Sequence, residues 1–246
     1  MLVSSLVADR FLDSCNLGRE NRILEIGTGR GTITKILAER VAFVESFEID
    51  RKLFETAMEL LSPHRNVKLI CADAFDYDLT GERFDGCVTS LPYSMSLRFL
   101  KWLARRSGQF SMTSAIVQTE FAKKLAAVPG EPSFRAVSVM AQISFKVELG
   151  FKIGRKAFSP PPKVESRVVH FTPNYDLELP FFDERKIRIL DFIFSFRGRH
   201  LSSALKKLFP DKKVEAYPQD LLSTRVESIS PGEYVKILKL TEEMMS

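Results

Sequence analysis

The sequence predicts an α/β fold: a mostly parallel sheet covered on both faces, with an antiparallel last strand and a small C-terminal helical domain. Three observations carry this. Short β-type runs alternate with helically spaced stretches over the first two-thirds of the 246 residues, the pattern of a parallel sheet whose crossovers are helices. A glycine-rich turn, Gly27-Thr28-Gly29-Arg30-Gly31, comes directly after the first run. Beyond Thr172 the alternation stops, and the rest of the chain is helical in pattern.

Taken in order, the opening MLVSSLVADRFLD has no basic start and soon meets Asp9 and Arg10. It predicts an amphipathic helix and not an export signal. The predicted strands are Arg22–Ile26, Ala42–Glu48, Val67–Cys71, Phe84–Ser90, Ser114–Gln118, Phe145–Ile153 and Ser166–Thr172. Between the fourth and fifth, Leu97, Leu100, Leu103 and Ala104 fall at helical spacing and predict one shared face. The last two strands are joined through a Pro-rich turn, which predicts that they pair antiparallel. Pro173 and Pro180 bracket a linker. Beyond it, Ile187, Leu190, Ile193 and Phe194 line one face of a first helix, and Tyr234, Ile237 and Leu238 one face of the last. Ser230-Pro231, with Glu233 close behind, opens that last helix. The domain boundary is placed at residue 174, giving domains 1–174 and 175–246.

Composition narrows the function classes. An apolar fraction of 45% and a charged fraction of 27% are those of a globular chain. No apolar run approaches the roughly 20 residues a membrane helix needs. Cys15, Cys71 and Cys87 have neither paired nor metal-type spacing and predict buried thiols in a reducing cytoplasm. His64, His170 and His200 lack ligand-like spacing, so no metal is expected. Thirty-six basic against thirty-one acidic residues leave a net charge of +5, a mild preference for a polyanionic partner.

Three features converge on a nucleoside cofactor. Glu25 precedes the G-x-G-x-G turn of Gly27, Gly29 and Gly31, where glycine lets the chain turn sharply and a ligand approach the main chain. Glu48 ends the second strand, 21 residues beyond Gly27, where a carboxylate can take both ribose hydroxyls. Asp73, followed by Ala74, ends the third strand beside the expected adenine. The glycine spacing is not the G-x-G-x-x-G of dinucleotide enzymes, which counts against a nicotinamide oxidoreductase.

At the end of the fourth strand stands Ser90-Leu91-Pro92-Tyr93. It resembles the (Asp/Asn/Ser)-x-Pro-aromatic segment that amino-methyltransferases place there. An exocyclic adenine amine is a poor nucleophile because its lone pair is delocalised into the ring. A polar side chain at Ser90 and the Leu91 carbonyl can hold its two N–H bonds out of plane. Pro92 stiffens the turn and Tyr93 offers a ring face. Lys156-Ala157-Phe158-Ser159-Pro160-Pro161-Pro162 is a second stiff aromatic segment, able to hold Phe158 against the other face of a flipped-out base.

With these pieces in order the chain resembles the KsgA family of small-subunit rRNA adenine N6-dimethyltransferases. The resemblance runs from about Leu2 to the last helix. It includes ILEIGTGRG, FEID, ADAF and SLPY, QTEFAKKL at 118–125, RAVSVMAQISFKVE at 135–148, AFSPPPKVESRVV at 157–169 and FRGRHLSSALKKL at 196–208. It implies a Rossmann-like class I methyltransferase sheet, S-adenosylmethionine as cofactor, and two adjacent adenosines near the 3′ end of small-subunit rRNA as substrate. It also implies action during ribosome assembly on a pre-30S-type particle. The chain itself is expected to be cytoplasmic and to act as a monomer. By position, Gly27, Gly29 and Gly31 would pass under the methionine part, Glu48 would hold the ribose and Asp73 the adenine amine. Ser90, Leu91, Tyr93, Phe158 and Pro160 would grip the base. Two departures stand out: the family has Asn at the place of Ser90, and a Gly-Gln-containing segment ahead of Met1. The second implies weaker cofactor binding or a different cover for the site.

The cations expected to face RNA are Lys101, Arg105 and Arg106, Lys123 and Lys124, Lys152, Arg155 and Lys156, with Arg197, Arg199, Lys206 and Lys207 in the helical domain. The alternative reading is an RNA- or DNA-binding assembly or transcription factor on the same scaffold with catalysis impaired. A large-subunit rRNA adenine methyltransferase is the nearest enzymatic rival.

Overall fold

Seven strands lie side by side in the order β3-β2-β1-β4-β5-β7-β6 in the computed structural model, which describes residues 1–177, 182–210 and 214–245. They are β1 (Arg22–Ile26), β2 (Phe43–Glu48), β3 (Val67–Cys71), β4 (Gly86–Thr89), β5 (Met112–Gln118), β6 (Phe145–Ile153) and β7 (Ser166–Pro173). Strands β1 to β5 pair in parallel, and β7 runs antiparallel to β5, with Gln118 opposite Ser166 and Thr113 opposite Phe171. All seven predicted strands are present, with ends shifted by a residue or two. β6 and β7, the last two, are neighbours as expected.

The helices are α1 (Ser5–Asp13), α2 (Thr32–Arg40), α3 (Arg51–Leu61), α4 (Ser96–Ala104), α5 (Thr119–Leu125), α6 (Ala136–Ser144), α7 (Glu184–Phe194), α8 (Leu201–Leu208), α9 (Gln219–Leu222) and α10 (Pro231–Met245). Several start on a side-chain cap that satisfies otherwise orphaned N–H groups. Ser4 accepts from Val7, Asp50 from Lys52 and Leu53, and Asp183 from Lys186. At α10, Ser230 and Glu233 form a reciprocal capping box: the Ser230 hydroxyl accepts from the Glu233 N–H, and the Glu233 carboxylate accepts from the Ser230 N–H.

The chain divides into two compact units. One holds Met1–Phe99, Gly108–Ala122 and Glu148–Pro173; the other holds Leu100–Ser107, Lys123–Val147 and Asn174–Ser246. In the first unit, the apolar side chains of β1 and β4 and Val44 and Phe47 of β2 are buried together with Ala8, Phe11 and Leu12 of α1 and Ile33 and Leu37 of α2. Each large side chain so buried contributes about 1.5–3 kcal/mol. In the second unit, Ile187, Leu190 and Ile193 of α7 and Tyr234, Ile237 and Leu238 of α10 are buried. Phe194 stacks on Tyr234 with ring centroids 5.5 Å apart. Pro180 of the expected linker lies outside the described residues.

Two expectations are corrected. Leu97 is 43% exposed, whereas Phe99, Leu100, Trp102, Leu103 and Ala104 are buried. At about 100° per residue the buried arc of α4 centres on Ser96, Phe99 and Leu103, and Leu97 falls at its margin. Cys71 is exposed, while Cys15 and Cys87 are buried. β3 is an edge strand in which no residue is fully buried, so its last residue has no neighbour to cover it. His170 sits half-buried in β7 with Nδ1 2.8 Å from the Ser114 hydroxyl. Among the described residues no helix is long and apolar enough to cross a membrane, and no three His, Cys, Asp or Glu side chains gather as metal ligands would.

Candidate active site

Strand register brings the candidate residues to one level. Ile26 lies opposite Phe47 and Thr89, and Phe47 opposite Ile70. The next residues, Gly27, Glu48, Cys71 and Ser90, therefore all emerge at the carboxyl edge of the sheet. The strand order reverses between β1 and β4, and crevices outside the carboxyl ends at such a switch point are where α/β sheets bind ligands.

The glycine loop is held open by its backbone. Gly27, Gly29 and Gly31 have φ of 86°, 58° and 80°, values that side-chain-bearing residues rarely adopt. Gly27 and Thr28 donate to the Phe47 carbonyl at 2.8 and 3.0 Å, and a Cβ on Gly27 would stand 3.1 Å from Leu91 Cδ2. Glu48 is buried, and its carboxylate accepts from the Gly29 N–H at 2.8 Å and the Asp50 N–H at 2.9 Å.

Beneath the loop, Glu25 is 1% exposed. Its Oε2 accepts from the Thr34 and Ser46 hydroxyls, both at 2.6 Å, and Ser46 in turn meets the Thr28 hydroxyl at 2.5 Å. Glu25 Oε1 has no partner among the described residues. Burial drives the carboxyl up to about 7; the hydrogen bonds from Ser46 and Thr34 oppose the shift, and the nearby Glu48 charge adds to it.

A cavity of about 440 Å³ opens above the loop, lined by Gly27, Gly29, Glu48, Asp73, Ala74 and Ser90 among others. Glu25 and Gly31 do not line it. Gly31 instead opens α2, where a Cβ would meet Leu60 at 3.2 Å. The apolar walls, Ile49, Leu53 and Phe75, carried no signal beyond ordinary hydrophobicity. Arg98 also lines the cavity and was not anticipated: Nη1 donates to Asp73 Oδ2 at 2.6 Å and Nη2 to Asp76 Oδ1 at 2.9 Å. Its only sequence signal is a cation at helical spacing after SLPY.

A second cavity, about 150 Å³, is lined by Tyr93, Phe158, Pro160, Pro162 and Ile116. Met1, Ser90, Leu91 and Pro92 line both cavities. Tyr93 is anchored by its hydroxyl, 2.7 Å from that of Ser166. Phe158 bridges to Leu2, and Ala157 and Met1 accept backbone hydrogen bonds from Val3 and Ser159 at 2.9 Å. The chain start thus lies along the Pro-rich segment, and a Cβ on Gly29 would lie 3.4 Å from Met1 Sδ.

The cations differ in their engagement. Arg155 and Lys156 of the first unit are exposed immediately before Phe158. In the second unit, Lys101 pairs with Asp191 at 3.4 Å, and Arg105 pairs with Glu184. Arg106 packs over Trp102, 4.7 Å from the ring centroid. Lys123, Lys124, Arg197 and Arg199 are exposed, and Arg197 reaches the carbonyls of Glu131 and Pro132.

A switch-point crevice over a glycine loop of positive φ, sharing Ser90, Leu91 and Pro92 with a smaller pocket lined by two aromatic rings, is the arrangement of a Rossmann-like methyltransferase. The family model for ribosomal RNA adenine dimethylases matches residues 1–243, and the chain belongs to that family. The Ribosomal RNA small subunit methyltransferase A of Caldanaerobacter subterraneus subsp. tengcongensis is 32% identical over 237 residues, 93% of this chain and 87% of the relative. The protein of the same name from Pseudomonas fluorescens is 32% identical over 236 residues, 94% and 87% of the two chains. Among solved structures, a dimethyladenosine transferase from Plasmodium falciparum superposes with a TM-score of 0.82 at 22% identity over 99% of this chain and 98% of its own. The 23S rRNA methyltransferase ErmE superposes at 0.70 and 24% identity over 97% and 98%. These two likenesses bear on the fold.

Proposed function

We propose that this protein transfers methyl groups from S-adenosylmethionine to N6 of adjacent adenosines in the 3′-terminal hairpin loop of small-subunit rRNA, acting in the cytoplasm as a monomer on a pre-30S-type particle. One observation carries the reading: Tyr93 and Phe158 line a single pocket that shares Ser90, Leu91 and Pro92 with the cavity over the glycine loop. A base between the two rings therefore has its amine beside the wall common to both spaces.

The larger cavity fits an adenosyl cofactor. Its floor is the main chain at Gly27 and Gly29, which a Cβ on Gly27 would crowd. Glu48, held by two backbone N–H groups, keeps lone pairs for ribose hydroxyls. Asp73 and Ala74 line the same cavity and are assigned to the adenine end of the cofactor. When bound, S-adenosylmethionine supplies an electrophilic methyl on a sulfonium. The chain's own residues supply position. Ser90 Oγ and the Leu91 carbonyl accept the amine's N–H bonds and turn its lone pair toward the larger cavity. Tyr93, fixed by Ser166, and Phe158 hold the ring plane. Pro92 and Pro160 stiffen the two arms. No strongly basic residue is needed, because placing two reactants in line accounts for most of such a rate, and the methylated amine, a strong acid, sheds its proton to solvent.

Residues 1–174 are assigned to methyl transfer, and 175–246 to RNA contact through Arg197 and Arg199, with Lys123, Lys124, Arg155 and Lys156 meeting phosphates. Lys101 and Arg105, already ion-paired, and Arg106 complete the set. The test uses unmodified small ribosomal subunits and labelled S-adenosylmethionine, with the product mapped by mass spectrometry. Label at paired loop adenosines of small-subunit rRNA is expected. Label on large-subunit rRNA would redirect the substrate assignment, and binding without transfer would favour an assembly factor.

A further inference from the structure

Arg98 joins two parts of the first unit that the proposed chemistry uses separately. It stands on α4, five residues after Tyr93, and its guanidinium reaches across the cavity edge to the turn that follows β3. Nη1 binds Asp73 Oδ2 at 2.6 Å, Nη2 binds Asp76 Oδ1 at 2.9 Å, and Cζ lies 4.8 Å from the Phe75 ring centroid. The other Asp73 oxygen accepts the Phe75 N–H at 2.9 Å. Each Asp73 oxygen thus holds one donor. A carboxylate has about four acceptor positions, so each oxygen keeps one for a ligand in the cavity that Asp73 lines. The planar fork matters here: one guanidinium spans two carboxylates while lying on a ring, which a lysine ammonium cannot do. The Asp73 side chain is 20% exposed and that of Asp76 75%, so the Asp73 contact is the less screened of the two.

We propose that Arg98 is a positioning residue for the adenine end of the cofactor: it fixes the Asp73 carboxylate so that its free acceptor positions select an amino group and reject a carbonyl at that place on the purine. This rests on the assignment of Asp73 to the adenine amine. A carboxylate free to rotate would still bind a purine, but would discriminate less sharply between an amine that donates to it and a carbonyl that repels it.

The experiment measures, by titration calorimetry on the full chain, the Kd values of S-adenosylhomocysteine and S-inosylhomocysteine. It compares wild type, Arg98→Ala, Arg98→Lys, Asp73→Asn and the Arg98→Ala/Asp73→Asn pair. The ratio of the two Kd values is expected to fall about five- to tenfold in Arg98→Ala, the size of one charge-assisted contact on a partly exposed group. Arg98→Lys should recover part of that loss. Asp73→Asn should lose the preference as well, and adding Arg98→Ala to it should change nothing further. If Arg98→Ala weakens both ligands equally and leaves the ratio intact, Arg98 only braces the turn and the inference is overturned. If Asp73→Asn itself leaves the ratio unchanged, the assignment of Asp73 falls first and takes the inference with it.

Discussion

Replacing Glu25 by glutamine isolates what it costs to ionise a carboxyl sealed beneath the glycine loop. Burial holds Glu25 at about 7 in the folded chain against an ordinary 4.5. Below pH 4.5 the carboxyl is neutral in both folded and unfolded chains, and stability is at its fullest. As pH rises past 4.5 the unfolded chain ionises first and is favoured, until the folded group follows near 7 and the loss levels off. The folded state holds the extra proton, so stability falls with rising pH. Each pH unit of difference corresponds to 1.36 kcal/mol, so two and a half units give a total of about 3 kcal/mol. About 2.5 kcal/mol of that is lost between pH 5 and pH 8. Glutamine mimics the neutral acid, and its carbonyl can still accept from Thr34 and Ser46. Denaturant unfolding of the cofactor-free protein at pH 5, 6, 7 and 8 should therefore show Glu25→Gln gaining on wild type by that amount toward high pH. A gap between the two that stays constant within about 0.5 kcal/mol across this range would refute the reasoning.

Three more outcomes are expected. Gly27→Ala puts a Cβ at a φ of 86° and 3.1 Å from Leu91; it should cost about 1–2 kcal/mol in denaturant unfolding and weaken cofactor binding measured by calorimetry. Phe158→Leu keeps apolar bulk at a position 8% exposed but removes the ring. It should lower kcat/KM for RNA about tenfold or more while leaving the cofactor Kd within about twofold, because aromatic stacking on a base contributes about 1–3 kcal/mol. Ser90→Ala removes the hydroxyl acceptor from the turn and should lower the single-turnover rate about tenfold; an unchanged rate would show that the hydroxyl does not hold the amine.

The strands were legible because β-branched and aromatic runs bounded by Gly, Pro and Asp are local signals, and each parallel strand at the centre of the sheet is buried on both faces. The site's acids were legible for a related reason: Glu48 and Asp73 lie at or just past the ends of strands that the register aligns, so counting along the chain amounts to measuring across the sheet. Anything set by neighbour order could not be read. Cys71 looks like its buried counterparts until β3 proves to be an edge. Leu97 fits a helical face but sits at the margin of the arc that packs. Glu25, expected beside the cofactor, turns inward because Thr34 and Ser46 offer it hydroxyls from α2 and β2, partners that no spacing rule brings together. Arg98 belongs with these, since its pairing with Asp73 joins residues 25 positions apart through a crossover.

The reversed direction of β7 has a consequence for how one chain can furnish both jaws of a clamp. Ser166, its first residue, stands opposite Gln118, the last of β5. The segment leading into β7 must therefore arrive on the same rim from which the parallel strands release their loops. Had β7 run with β5, the segment leading into it would enter from the far rim, about 25 Å away for a strand of eight residues. A single flipped strand thus spares the fold an added subdomain: the polypeptide returns to its own mouth carrying the second ring, and Tyr93 is tied to the very residue at which it turns back.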